Sequence, residues 1–271
     1  MCRVLKMPKS TYYQSFHKKP NSYHVANEKL LERIRTIHQE SGEIYGAPKI
    51  FEVLKKEGYT GSIQRIQRLM KKEGIRSNTT KKYKPTSSSQ PVEERENVLE
   101  QDFTTTNMNE KWVADITYIH TVRHGWCYLA SVLDLHTKKV VGHKFSRNMT
   151  TDIVLDALDN AVQAQKPSPG LIIHTDLGTQ YTSEAFQERL KKYQMIPSFS
   201  RKGCPYDNAC IESFHATLKK EEVYRTQYES FETARIAIFK YIEGWYNRKR
   251  IHGSIGYLTP DECERMCRAA A

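Results

Sequence analysis

The sequence predicts an α/β fold in which helices cover both faces of a mixed sheet, preceded by a small all-α module. Two observations carry this prediction. Between residues 111 and 225, strand-like and helix-like segments follow one another in the order β-β-β-α-β-α-β-α, which is typical of a mixed sheet covered by helices. Before it, residues 24–75 show apolar side chains at helical spacing.

The N-terminal part of the chain is strongly basic. Residues 1–92 hold 19 Lys and Arg against 7 Asp and Glu, whereas the remaining residues hold 23 against 24, so the positive excess lies entirely in this part. Such a distribution is typical of a segment that binds a polyanion, because phosphate contacts release counterions whatever the base sequence. A solvated basic surface is the alternative.

Three short helices are predicted within this basic part. Their apolar positions are Leu30, Ile34 and Ile37, then Ile50, Val53 and Leu54, then Ile63, Ile66, Leu69 and Met70. Ser62 is a good N-cap for the third helix, and the pairs "EG" at residues 57–58 and 73–74 mark helix ends. The short connection "GYTGS" is similar to that of a helix-turn-helix. The third helix would then present DNA contacts, for which we select Arg65, Arg68, Lys71 and Lys72. Packing of three helices alone would explain the same pattern.

Periodicity disappears between residues 77 and 110, where Ser, Thr, Asn and charged residues predominate, so this segment is predicted to be a linker. We therefore divide the chain into a basic helical module at residues 1–76, the linker at 77–110, an α/β core at 111–225 and a helical extension at 226–271.

The elements of the core are predicted in chain order. The segments "KWVADITYIHT", "GWCYLASVLDL" and "KKVVGHKFS" predict three antiparallel strands joined by short turns. An amphipathic helix over "TDIVLDALDNAVQAQ", capped by Thr151, leads to a short buried strand in "GLIIHTD". A helix over "SEAFQERLKKY", a strand in "MIPSFS" and a helix after Asp207 complete the core, and a further helix is expected over residues 231–248.

Three acidic residues stand out on this frame. Asp115 lies within a predicted strand, where alternation places it on the face of Val113 and Thr117. Asp176 ends the strand "GLIIHTD" at a carboxyl edge, and Glu212 lies on a helix. A buried carboxylate needs a partner or a cation, and three acids with no Lys or Arg beside them favour a hard divalent cation. For each acid alone, helix capping or a salt bridge is the alternative.

Several classes of protein are not indicated. No apolar run approaches the roughly 20 residues that span a bilayer, and the N-terminal residues "MCRVLKMPKSTYY" lack the apolar stretch of a signal peptide. The six cysteines are scattered without a CxxC pair, so we expect reduced thiols and no structural zinc. We therefore expect a cytoplasmic protein without a membrane partner.

The segments "WVADITYI", "HTDLGTQYTS" and "SRKGCPYDNACIESFHATLKKE" strongly resemble the catalytic core of DDE transposases from bacterial insertion sequences, in the branch most similar to retroviral integrases. More narrowly, the chain resembles the second reading frame product of the insertion-sequence-three family. Thirty-five residues separate Asp176 from Glu212, and Lys219 follows Glu212 by seven, as in that family. The segments "YGAPKI" to "RLMKKEGI" resemble its N-terminal helical module, and "YIEGWYNRKRIHGSIGYLTP" its C-terminal segment.

This resemblance implies a ribonuclease-H-like fold in which Asp115, Asp176 and Glu212 hold two Mg²⁺ or Mn²⁺ ions. It implies cleavage at the 3′ ends of an insertion sequence, followed by strand transfer. Helical spacing puts Asn208, Glu212, His215 and Lys219 on one stripe. Lys219 lies about 10 Å along the helix at 1.5 Å per residue, where it is expected to contact a phosphate of bound DNA. The further residues expected to contact DNA in the core are Arg201 and Lys202.

The same resemblance implies double-stranded DNA as the partner, both at the element's ends and at the target. It also implies a frameshift fusion with the first reading frame product, a homo-oligomer on DNA and a location at the nucleoid. The chain departs from many relatives at Leu177, Cys204 and His215, none of which is an expected ligand. A ribonuclease-H-like nuclease or resolvase, and an inactive DNA-binding regulator, are the alternative functions.

Overall fold

The predicted order of helices and strands is confirmed in the structure, a computed structural model that describes residues 8, 9, 13, 22–78, 95–201 and 203–270. The chain folds into two compact units, Met1–Asn78 and Thr79–Ala271. The first unit contains α1 (Ser22–Glu40), α2 (Ala47–Lys56) and α3 (Ile63–Lys72). Within the described residues, no helix combines the length and the apolar character needed to cross a membrane.

The second unit contains the mixed sheet and its helices. Its strands are β1 (Lys111–Thr121), β2 (Gly125–Asp134), β3 (Val140–Ser146), β4 (Ile172–Thr175) and β5 (Ile196–Phe199). Its helices are α4 (Thr151–Gln165), α5 (Thr179–Thr182), α6 (Glu184–Lys192), α7 (Ala209–Glu221), α8 (Phe231–Phe239) and α9 (Pro260–Ala270).

The helices α1, α2 and α3 pack their predicted apolar faces together. Ile34, Ile50 and Ile66, one from each helix, are fully buried. The predicted helix ends are confirmed, since Gly58 and Gly74 follow α2 and α3 with positive φ, the conformation that glycine adopts most easily. Ser62 occupies the N-cap position of α3 with extended backbone, but its side chain makes no capping hydrogen bond. The predicted position of the N-cap is therefore confirmed, but the side-chain hydrogen bond expected of a capping serine is not formed.

The sheet of the second unit has the order β3-β2-β1-β4-β5. β1 pairs with β2, and β2 with β3, in antiparallel fashion. β4 runs parallel to both β1 and β5. This arrangement of three antiparallel strands followed by two parallel ones is ribonuclease-H-like, so the predicted fold class is confirmed.

Alternation along β1 sends side chains into two separate cores. Trp112 and Ala114 pack with α4 and α6 on one face of the sheet. Val113 and Ile119 pack with α7, α8 and the segment after α8 on the other. Asp115 therefore lies on the face that α7 covers, as alternation predicts.

Some element boundaries differ from the sequence predictions. The N-cap of α4 is Thr150 rather than Thr151, and Thr150 makes no side-chain capping hydrogen bond. The helix expected over residues 231–248 ends at Phe239 and continues as a π-helix over Lys240–Tyr246. α5 and α9 are helices that the sequence patterns did not predict.

Residues after α7 return to the sheet and cover its β3 edge. Val140 donates its backbone N–H to Asn247 Oδ1 at 3.1 Å, and Asn247 Nδ2 donates to the Val140 carbonyl at 3.1 Å. Asn160 on α4 donates to the His143 carbonyl at 3.1 Å. Two asparagine side chains thus satisfy backbone groups on the outer side of β3.

A second tether joins the C-terminal helix α9 to the turn between β2 and β3. Lys139 Nζ lies 2.6 Å from Glu264 Oε2 and 2.7 Å from Asp261 Oδ1. Gln165 at the end of α4 donates to Glu264 Oε1 at 2.9 Å. α9 is therefore held to both the sheet and α4.

We predict that Gly142→Ala destabilises the second unit by about 1–3 kcal/mol, the usual cost of overpacking a core. A Cβ atom at Gly142 would lie 2.3 Å from the Ala157 carbonyl oxygen and 2.6 Å from the Ala161 Cβ, so α4 would have to move off β3. Urea denaturation measures the change. The control is Gly244→Ala, where nothing lies within 4 Å of the added atom; equal stability of the two variants would contradict the prediction.

Candidate active site

Two of the predicted acidic residues meet where β1 and β4 separate. The parallel pairing of these strands ends with Val113 opposite His174. Asp115 and Asp176 each follow that last pair by two residues, so the shared register brings them side by side. Adjacent strands lie about 4.8 Å apart, and both carboxylates emerge at the carboxyl edge of the parallel part of the sheet.

Backbone groups orient both carboxylates. Asp115 Oδ1 accepts a hydrogen bond from the Ile116 N–H at 2.8 Å, and Asp176 Oδ1 accepts one from the Gly178 N–H at 2.9 Å. A Cβ atom at position 178 would lie only 2.9 Å from Asp176 Oδ1. A side chain at position 178 would therefore require the Asp176 carboxylate to shift from this position.

Negative charge is concentrated at this edge. Burial, together with the charge of Asp115, raises the pKa of Asp176 to about 6. The Tyr181 hydroxyl is buried, and within the described part of the chain it has no hydrogen-bond partner. Burial and the charges of both aspartates raise the pKa of Tyr181 well above its ordinary value. The ligand atoms of these two neighbouring carboxylates are oxygens, which hard divalent cations prefer. The pair therefore fits such a cation.

His215 is a neighbour of the site that helical spacing placed on the stripe of Glu212 but that was not expected to be a ligand. Its Nδ1 lies 3.3 Å from Asp115 Oδ2, and its Nε2 lies 3.2 Å from Ser131 Oγ. Ser131 is the residue opposite Asp115 on β2. The imidazole thus joins α7 to two strands of the sheet beside the acid pair. Only helical spacing placed His215 near this face, and no sequence signal identified its contacts.

The helix α7 carries the third predicted acid. Glu212 lies in the first turn of α7 with an exposed side chain, while Lys219 is partly exposed in its last turn. Asn208, at the N-cap position, is buried. The described residues contain no group of three or more His, Cys, Asp or Glu side chains arranged to hold a metal ion. The structure therefore brings Asp115 and Asp176 together, and the role of Glu212 as the third acid stays a prediction.

Asp207 fixes the start of α7. Its side chain is fully buried and accepts hydrogen bonds from Asn97 Nδ2 at 2.9 Å, Gln101 Nε2 at 2.6 Å and the Arg201 backbone N–H at 2.8 Å. The Arg201 guanidinium also donates to both carboxylate oxygens at 3.2 Å. These contacts, with that of Arg201 foremost, hold the pKa of Asp207 well below its ordinary range. Asp207 was not predicted from the sequence, in which its partners Asn97 and Gln101 lie 110 and 106 residues away.

His174 joins the two parallel strands beneath the acid pair. Its Nδ1 lies 2.8 Å from Ser198 Oγ and its Nε2 lies 2.9 Å from Ser200 Oγ. Burial lowers the pKa of His174 to about 4, so the imidazole is neutral at pH 7. A neutral histidine between two hydroxyl groups links β4 to the segment that leads toward Asp207.

The residues predicted to contact DNA have different surroundings. Arg201 is bound to Asp207, and Lys202 lies outside the described residues. On α3, Arg68, Lys71 and Lys72 are exposed. Arg65 is partly buried, and its Nε donates to Asn27 Oδ1 at 2.8 Å. Their roles toward DNA stay predictions.

Three family models match the chain. An integrase core domain matches residues 105–205, a second integrase core domain model matches residues 193–260, and an HTH-like domain matches residues 26–83. The chain is 36% identical over 267 residues to the transposase InsF for insertion sequence IS3A of Escherichia coli K12, covering 97% of this chain and 92% of the relative. It is 38% identical over 250 residues to the transposase for insertion sequence element IS904 of Lactococcus lactis, covering 92% and 98%.

Among solved structures, the HTLV-2 integrase catalytic core domain in complex with magnesium is similar with a TM-score of 0.45 and 16% identity. That alignment covers 58% of this chain and 97% of the integrase core. The catalytic core domain of BIV integrase is similar with a TM-score of 0.45 and 19% identity over 60% of this chain and 97% of that core.

We predict that Asp115→Asn lowers the pKa of Asp176 from about 6 but leaves it above its ordinary value, because burial, the larger cause, is unchanged. A raised carboxyl pKa lowers stability as pH rises from about 4 to about 6. Over this range the unfolded state has already released the proton, whereas the folded state still binds it. The variant should flatten this loss. Carboxyl ¹³C NMR titration measures the pKa, with Asp152→Asn on α4 as control. An unchanged Asp176 pKa in Asp115→Asn would show that the two charges do not interact.

We predict that Asp207→Asn destabilises the second unit by about 2–3 kcal/mol, since a fully buried acceptor of charged hydrogen bonds is lost. Asp159→Asn is the matched control, because Asp159 also accepts from an arginine, Arg189, but is partly exposed. Its loss should cost about 1 kcal/mol or less. Chemical denaturation compares the two variants, and a smaller loss in Asp207→Asn than in Asp159→Asn would be the contrary result.

Proposed function

The chain belongs to the IS3 family of insertion-sequence transposases, and on that premise we propose which of its residues cleave and join DNA. An enzyme of this family with an integrase core is a polynucleotidyl transferase that cuts DNA and transfers strands during transposition. The observation that carries the residue assignment is the shared register of Asp115 and Asp176 at the edge where β1 and β4 separate.

Asp115, Asp176 and Glu212 are the proposed catalytic acids. The family's integrase core depends on a divalent metal, and we assign its ligands to these three carboxylates, with Mg²⁺ or Mn²⁺ as the ion and two ions per site. The crowding of Asp115 and Asp176 supports the assignment, because a cation offsets their repulsion. Glu212, exposed in the first turn of α7, is assigned as the third ligand.

The proposed reaction is two successive in-line displacements at phosphorus. Water first attacks the phosphodiester at the element's end, so that a new P–O bond forms and the bond to the leaving 3′ oxygen breaks. The freed 3′-hydroxyl then attacks a target phosphodiester in the same way. Divalent ions at such a site stabilise the attacking and leaving oxygens. Asp115 and Asp176, fixed by the Ile116 and Gly178 backbone N–H groups, supply the rigid part of the site.

The remaining predicted side chains are assigned to DNA binding. Lys219, about two helical turns beyond Glu212, would contact a phosphate, and Asn208, Arg201 and Lys202 are assigned to DNA binding with it. Arg65, Arg68, Lys71 and Lys72 would contact DNA from α3. The proposed domains are a DNA-binding module at residues 1–76, the linker at 77–110, the catalytic core at 111–225 and its extension at 226–271.

The wider assembly is proposed from the family. The DNA partners are double-stranded element ends and target. We further propose a frameshift fusion to the first reading frame product, a homo-oligomer on DNA and a cytoplasmic location at the nucleoid. Copurification of the fused product with DNA tests these assignments together.

We predict that Glu212→Gln abolishes 3′-end cleavage and strand transfer while DNA binding stays within about two-fold of wild type. The substitution keeps the size of the side chain but removes the charge that holds a cation. Gel-shift and cleavage assays with Mg²⁺ measure both properties. Glu188→Gln, at an exposed acid on α6, is the matched control and should cleave normally.

In the same assays Lys219→Ala should weaken DNA binding and lower the salt slope by about one unit, since one phosphate contact is lost. Chemistry should recover at saturating DNA. Cleavage by Glu212→Gln, or failure of Lys219→Ala at saturating DNA despite normal binding, would show that the roles on α7 are assigned wrongly.

A further inference from the structure

The hairpin of β1 and β2 carries four aromatic rings on one face. Tyr118 lies opposite Tyr128, and His120 lies opposite Trp126. Because residues paired across antiparallel strands point to the same face, the rings form a two-by-two array. The Trp126 ring centroid lies 6.0 Å from that of Tyr118 and 5.1 Å from that of His120. We call these four residues the aromatic platform.

The aromatic platform lies beyond the part of the sheet that helices cover. Ala114 is buried under α4 and Ile116 is partly buried, but Tyr118 is 47% exposed and Trp126 is 59% exposed. The alternate residue Ile119 remains fully buried on the opposite face. Large aromatic side chains grouped on a surface in this way mark a binding site.

Cationic side chains border the aromatic platform. It forms one wall of a groove of about 930 Å³ whose lining includes Lys219, Tyr224 and Arg225. Lys219 Nζ lies 5.2 Å from the Tyr118 ring centroid. Among the described residues of this lining, the charged side chains are Lys219 and Arg225, and both are positive. The groove therefore offers flat apolar faces and positive charge together.

The groove adjoins the open edge of β1 that also carries Asp115. Tyr118 follows Asp115 by three residues, about 10 Å along a strand, and points to the opposite face of the sheet. Both residues lie beyond the last pair of β1 with β4, so this edge of β1 is open between them. Lys219 follows Glu212 by seven residues, about 10 Å along the same helix. A DNA strand that passes round this open edge would therefore bring nucleotides next to the cleaved phosphodiester to the groove.

We propose that the aromatic platform binds unpaired nucleotides of the DNA strand beside the phosphodiester that is cut. Bases present free faces for stacking only when they leave the duplex, whereas paired bases already stack on their neighbours. Aromatic rings bind such faces without regard to sequence, and Lys219 and Arg225 match the phosphates between them. This proposal deepens the proposed function and rests on it, because the acid pair defines which nucleotides are near.

The test measures the affinity of the full-length protein for a single-stranded oligothymidylate, without divalent ion, at a salt concentration that weakens phosphate contacts. Trp126→Ala should lower this affinity by about 5- to 100-fold, the range expected when a base-stacking ring is removed. Affinity for a duplex of the same length should change less than about two-fold. Trp126→Phe keeps a stacking face and should bind the oligonucleotide nearly as well as wild type.

Phe239→Ala is the matched control, because Phe239 is 57% exposed and does not line the groove. Equal oligonucleotide affinity in wild type and Trp126→Ala would overturn the proposal. Sedimentation gives a second opposing outcome: if Trp126→Ala dissociates an oligomer and leaves oligonucleotide affinity unchanged, the platform contacts a second copy of this chain instead.

A cleavage assay separates this proposal from the proposed function. Trp126→Ala should cut a fully paired element end more slowly than wild type and should regain most of its rate when the terminal three base pairs are replaced by mismatches. If wild type binds single strands through Trp126 but never cuts DNA with Mg²⁺, the catalytic assignment fails alone. If wild type cuts both substrates and Trp126→Ala matches it on each, the platform assignment fails alone.

Discussion

The arrangement of the second unit depends on how far β1 and β4 stay paired. β1 pairs with β2 along its whole length but with β4 only over residues 111–113. If β1 and β4 were paired along their whole length, no space would remain between them. If they were not paired at all, no register would align the two aspartates. Parallel pairing that ends early meets both needs, because it aligns Asp115 with Asp176 and then opens the edge at which they meet. His174 belongs to this last pair. Its imidazole lies between a serine on β5 and a serine just after β5, which fixes its position.

Buried acids hold α7 at both of its ends. Just before the helix starts, Asp207 accepts hydrogen bonds from Asn97, Gln101 and Arg201. At the other end Glu221 accepts from Arg250 at 2.9 Å and from the Tyr241 hydroxyl at 2.8 Å. A helix fixed in this way does not slide along the sheet, so the positions of Glu212 and Lys219 relative to the aspartates are set by the scaffold.

The sequence contained enough local information for the order of elements and for the face on which Asp115 lies, because strand alternation and helical spacing are properties of neighbouring residues. Local patterns did not predict two details of the helices. The N-cap of α4 is Thr150 rather than Thr151, and α8 continues as a π-helix where a regular helix was expected. The two aspartates could be chosen from sequence, but their alignment depends on a strand register that no local pattern encodes. The contacts of Asp207 and His215 join residues 106, 110 and 84 positions apart. Only the folded chain could reveal them.

The two asparagine side chains on the outer side of β3 have a consequence for how this protein behaves when many copies are present. An edge strand with open backbone groups is a template on which another chain can add a strand, which leads to aggregation. Asn247 occupies both backbone groups of Val140, and Asn160 occupies the carbonyl of His143. An irregular register between β2 and β3 further bends this edge. Crowded copies of this chain therefore cannot extend each other's sheets at β3 without first displacing both asparagines.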